Sequence, residues 1–142
     1  MVVDYVRHVL RVEDADHGES SPNASHLAIT ALACSLVGQE HSVHLVSYSR
    51  AEALYGGTNP VESYYCNYGL NPEYRDRLHA AGFHVSGVDS DGEPRIMELS
   101  DHPFYIGTLF VPQARSSREH PHPIIQGFIS AAKARFAKTS FI

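Results

Sequence analysis

The chain has 142 residues, 43% of them hydrophobic and 19% charged, and a formal net charge of −5. That length suits one domain, 1–142, with a real core, and an acidic chain without a basic run argues against nucleic acid as a partner. No apolar run approaches the ~20 residues that cross a bilayer, residues 1–10 are too short and too charged for a secretion signal, and two cysteines without framework spacing suit the cytoplasm.

Residues 1–12 predict a helix, because Val2, Val6, Val9 and Leu10 fall on one stripe. Residues 13–25 are polar and turn-rich, which predicts a loop. Strands are expected at 27–36 and 42–47, then a short helix at 51–55 and a turn at 56–60. Residues 61–68 read as a tyrosine-rich strand. Asn71 then caps a helix with Pro72 at its first position and Gly82 at its end, and Tyr74, Leu78 and Ala81 share its inner face. Residues 83–88 and 95–99 pair about an Asp91-Gly92 hairpin turn. An apolar run at 103–110 predicts a strand buried on both faces. The last helix spans 123–138, with Ile125, Phe128, Ile129, Ala132 and Phe136 toward the core. These elements amount to an α/β domain with a mixed sheet. There is no internal repeat and no low-complexity stretch.

Residues 101–132 read D-H-P-F-Y-I-G-T-L-F-V-P-Q-A-R-S-S-R-E-H-P-H-P-I-I-Q-G-F-I-S-A-A. This closely resembles the C-terminal end of the glutamine amidotransferase domain of CTP synthases. There an apolar strand runs into His-Pro-Glu, then a Ser/Arg-rich loop, then His-Pro and an amphipathic helix. The resemblance continues through V-D-Y-V-R-H-V-L-R-V-E-D-A-D near the start, Ala51-Glu-Ala-Leu-Tyr-Gly56, and Glu62-Ser-Tyr-Tyr-Cys-Asn-Tyr-Gly-Leu-Asn71. It implies a mostly parallel sheet flanked by helices, the C-terminal part of a flavodoxin-like amidotransferase fold, in the CTP-synthase-like branch without a synthetase half.

Three departures stand against the family's chemistry. Its base would sit at Val111 and its orienting carboxylate at Gln113, and neither side chain can do that job. Its nucleophile turn, of G-x-C-x-G type, would fall before residue 1, and no such motif occurs in the chain. Its arginine-rich cluster is replaced by Ser63-Tyr64-Tyr65-Cys66-Asn67. The implied protein is a pseudoenzyme without glutaminase activity that keeps a small-molecule pocket at Val111, Gln113, Arg115, Asn67 and Tyr68. A sheet without the family's earlier strands would expose apolar surface, which predicts a homodimer or a partner chain covering the opening.

Other candidates remain open. Glu62, Tyr64 and Cys66 share one face of a regular strand, which makes either a catalytic carboxylate, phenol and thiol or a hydrogen-bonded stripe. Cys66 is either an activated thiol acting on a small metabolite or an ordinary half-buried cysteine, while Cys34 reads as core. Arg115, Ser116, Ser117 and Arg118 offer an anion site or a plain surface loop. Asp14, Asp16, His17 and Glu19 form an acidic loop like the family's. Ten histidines show no H-x-x-x-H spacing and the two cysteines no C-x-x-C, so no metal and no cofactor is expected. A subunit that completes a split amidotransferase is a further alternative.

Overall fold

The computed structural model describes residues 1–139. Helix α1 (Val2–His8) is shorter than predicted, because Arg11 turns left-handed at φ 60 and brings the chain back. Arg7 fastens the returning segment, its Nε donating to the Ala15 carbonyl at 2.6 Å. The expected loop there holds a strand, β1 (Ala15–His17), parallel to β2 (His26–Ala31). β2 ends five residues before the predicted 36. The strand predicted at 42–47 is divided between β3 (Gln39–Ser42) and β4 (His44–Leu45), which belong to different sheets.

Helix α2 (Arg50–Leu54) forms where predicted. The Ser49 hydroxyl accepts the Glu52 N–H at 3.0 Å, and Gly56 and Gly57, at φ 64 and 78, turn the chain out of it. The predicted tyrosine-rich strand is broken in two. β5 (Val61–Tyr64) pairs with β3, and β6 (Tyr68–Leu70) pairs with β2. Between them the chain leaves both ladders, and its carbonyls are satisfied by the β2–β3 connection, Leu36 N to Cys66 O at 3.1 Å and Leu32 N to Asn67 O at 2.8 Å.

Asn71 caps the next segment, its Oδ1 accepting the Glu73 N–H at 3.0 Å. A tight turn at Pro72–Tyr74 leads into α3 (Arg75–Ala80), which Gly82 ends at φ 92. Tyr74 and Leu78 are buried as predicted and Ala81 is half-buried. β7 (Phe83–Val88) and β8 (Pro94–Leu99) form the expected hairpin, whose turn is held by the Asp89 carboxylate accepting from Asp91 and Glu93 N–H groups, both at 2.9 Å. The run at 103–110 is not a doubly buried strand. Only β9 (Ile106–Thr108) pairs, at the edge of the sheet β4-β7-β8-β9, and it is half-buried. Pro103 and Pro112, which lack an N–H, bracket it.

Helix α4 (Pro123–Thr139) has the predicted extent, but its apolar stripe faces outward. Phe128 is 57%, Ile129 46% and Phe136 76% exposed, Ala132 is exposed too, and Ile125 is half-buried. The helix instead meets the domain through buried Ile124 and through Gly127, where a Cβ would fall 2.5 Å from Leu54. The seam lies one position off the expected one, at a glycine that permits close approach.

The α/β architecture with helices flanking mixed strands is as expected. Predominantly parallel pairing is not: β1–β2 is the parallel pair, and the other pairs of the described residues are antiparallel. Short connections explain the β7–β8 and β8–β9 pairs, which are joined by short turns that only antiparallel neighbours can use. The apolar interior is in two parts that meet at β8. Met97 joins Val6, Tyr74, Leu78 and Phe83 on one side, while its neighbour Ile96 joins Val43, Tyr64, Phe110 and Ile124 on the other.

Candidate functional site

The stretch after β9 is anchored by backbone bonds at two points: Leu109 N to the Arg95 carbonyl at 3.0 Å and Val111 N to the Ser63 carbonyl at 3.1 Å. A tight helical turn, Pro112–Arg115, follows. Val111 and Gln113 line a cavity of about 770 Å³ whose walls are mostly apolar, among them Ile29, Phe83, Met97, Phe110 and Phe128. No proton-accepting side chain stands at either position.

Arg115 points elsewhere. Its Nη1 is 2.8 Å from Glu40 Oε1, the oxygen that also accepts the Ser63 hydroxyl at 3.1 Å. The guanidinium is thus tied to β3 and β5. Cys66, Asn67 and Tyr68 line a second cavity, of about 360 Å³, together with His17, Glu19 and Tyr65. The two cavities adjoin, sharing Met1, Val2, Ile29 and Leu109. The acidic loop singled out from sequence thereby reaches the cysteine's cavity through two of its members. Cys34, expected in the core, is exposed.

Cys66 is half-buried, and its Sγ donates to the Leu109 carbonyl at 3.4 Å. Burial pushes the thiol above its ordinary range, against the opposing pull of Arg95 and nearby backbone N–H groups. An activated thiol needs the reverse. Glu62 and Tyr64 do not share its cavity. Because the chain leaves the strand after Tyr64, the two-residue alternation that would carry Cys66 to their face is lost.

Glu62 is instead the centre of a buried polar cluster that sequence reasoning missed. Its Oε1 accepts from the Tyr55 hydroxyl at 2.5 Å and lies 3.0 Å from His122 Nε2, with Glu62 2% and His122 3% exposed. His122 Nδ1 accepts the Ile124 N–H at 3.2 Å, which puts the ring proton on Nε2, where it is donated to Glu62. The histidine therefore caps α4, and neither nitrogen has a lone pair to offer a substrate. Burial and the hydrogen bond to Glu62 hold the Tyr55 phenol far above its ordinary range, so it remains a donor.

Tyr64 is fully buried, its ring edge-on to Phe110 with centroids 5.9 Å apart. Burial raises its phenol too, outweighing the Arg95 guanidinium over its ring. Among the described residues, the Tyr64 hydroxyl, the Ser86 hydroxyl and Glu62 Oε2 are buried without a hydrogen-bond partner. No group of three or more His, Cys, Asp or Glu is placed among them to hold a metal ion, and no helix among them is long and apolar enough to cross a membrane.

No family model matches the chain. It is 34% identical over 148 residues to a CTP synthase of Bifidobacterium longum, covering 93% of the chain and 27% of the relative. It is 36% identical over 141 residues to a CTP synthase of Syntrophus aciditrophicus, covering 92% of the chain and 26% of the relative. The chain thus spans about a quarter of the length of these curated relatives. Its fold matches that of the glutaminase domain of Trypanosoma brucei CTPS, solved with bound acivicin. The TM-score is 0.85 at 22% identity, over 93% of the chain and 56% of that domain's chain.

Proposed function

Since the chain is a CTP-synthase-like glutamine amidotransferase domain that matches about a quarter of the length of those enzymes, we propose that it does not hydrolyse glutamine and binds a less polar small molecule. The observation that carries this reading is the wall beside β9. Val111 and Gln113 stand where the family resemblance expects a base and its carboxylate, and they face an apolar cavity of about 770 Å³.

Acyl transfer from glutamine needs a thiolate, a base to generate it and donors for the developing oxyanion. The chain's half-buried thiol is held protonated, and its buried histidine spends both nitrogens on Glu62 and the start of α4. Loss of triad members costs roughly 10⁴ to 10⁶ in rate, and such losses are not rescued by what remains. An aliphatic wall at Val111 and an uncharged amide at Gln113 favour a ligand with a larger apolar surface and one hydrogen-bonding end.

Ligand-observed and amide NMR on the full chain tests the binding half of the proposal. Phenylpropionate is expected to shift resonances of Val111, Gln113 and Phe128, and glutamine to leave them unmoved. Shifts from glutamine alone, or silence with both probes, would overturn it. The exposed face of α4 also favours a second copy of the chain as its cover. A solution mass twice the 15.7 kDa of the chain supports that, and a monomer removes it.

A further inference from the structure

His79 lies near the end of α3 and His84 near the start of β7, joined by a turn that contains Gly82 at φ 92. Their Nδ1 atoms are 3.1 Å apart, with ring centroids 4.5 Å apart and the planes inclined at 74°. His79 is exposed and His84 half-buried, so solvent reaches the pair. Each sits beside a fully buried residue, Leu78 before His79 and Phe83 before His84, so the core fixes both backbones.

We propose that this pair is a two-histidine binding site for a borderline divalent transition-metal ion such as Zn²⁺ or Ni²⁺. Nitrogen ligands about 2.0–2.1 Å from such an ion are separated by roughly 3.0 Å at a right angle and 3.4 Å at the tetrahedral angle. The observed spacing falls within that interval. The centroids are also closer than an end-to-end hydrogen bond would leave them, so the rings lean and both Nδ1 lone pairs can be directed at one point outside the N–N line.

Two neutral imidazoles meeting through Nδ1 share one proton between them. Metal binding moves that proton to Nε2 of the same ring, so both Nδ1 atoms become ligands without net proton release. Imidazole donors suit Zn²⁺, Ni²⁺ and Cu²⁺, whereas Mg²⁺ and Ca²⁺ require oxygen. Water fills the remaining positions, since no third side chain is placed to join them. The site lies outside both cavities described above, so it stands independently of the proposed ligand.

The test is titration of the untagged full chain with ZnCl₂ and NiCl₂ by calorimetry, alongside His79→Ala, His84→Ala and His120→Ala. Affinity should fall tenfold or more in the first two variants, stay at the parent value in the third, and be absent for MgCl₂. His79 and His84 lie outside the core, so the variants should keep the parent's thermal unfolding. Gly82→Ala gives a second reading, because an alanine at φ 92 strains the turn that sets the spacing and should weaken metal binding without removing a ligand. Parent-like titration by both histidine variants, or no heat from the parent at millimolar zinc, would overturn the proposal.

Discussion

Glu62 shows how far a side chain's role depends on residues distant in sequence. On a regular strand it would stand over Cys66, yet its carboxylate joins α2, β5 and α4 through Tyr55 and His122. Removing it leaves the buried His122 ring and the half-buried Tyr55 hydroxyl with only each other, 3.2 Å apart, and a buried donor that loses its acceptor costs about 1–3 kcal/mol. Glu62→Ala should therefore lower stability by about 1–3 kcal/mol, and Glu62→Gln, which keeps an acceptor, by less. Urea unfolding reads this as a lower midpoint at an unchanged slope. A parent-like midpoint for the alanine variant would mean that the cluster holds nothing together. At Cys66 the raised thiol pKa leaves little thiolate at neutral pH. Iodoacetamide should modify exposed Cys34 first at pH 7, with Cys66 catching up only as the solution becomes alkaline. Faster labelling at Cys66 would reveal an activating partner. Val111 and Gln113 were legible as departures from a motif, whereas a glutamate and a histidine sixty positions apart leave no trace in local sequence.

Caps and turns were the most legible elements, because their chemistry is local. Asn71, Gly82 and the Asp91-Gly92 hairpin all act where their residue types predict. Strand length was harder to read. β1 is three residues, Ala-Asp-His, stabilised by Arg7 and by β2 rather than by its own propensity. The 61–68 run has the composition of one strand, but its two ends pair with different partners. Close packing decides such cases. Gly87 of β7 shows it, since an added Cβ would lie 2.8 Å from Val43 and 2.9 Å from Ile96. Gly87→Ala should cost about 1–3 kcal/mol through overpacking, visible as a lower Tm. An unchanged Tm would show that β7 can shift freely against β4 and β8.

At the scale of the molecule, helices flank mixed strands as the family resemblance implies, without its mostly parallel pairing, while two apolar surfaces that meet at Phe128 remain on view. One is the cavity walled by Val111, Gln113 and Phe128, and the other is the outer stripe of α4. Periodicity identifies an apolar stripe without saying what it faces, so it predicts a core position for Phe128 and Phe136 that the fold does not give them. Chemistry at this scale depends on what is brought together: Cys66 lines one cavity, Val111 and Gln113 line another, and His122 is turned to Glu62, so they do not form one constellation. The most direct measurement follows ammonia release from glutamine by the full chain at neutral pH. Release should not exceed that of glutamine in buffer at any concentration of the chain. Ammonia that accumulates in proportion to the chain, and stops when its thiols are blocked, would contradict the proposed loss of glutaminase chemistry.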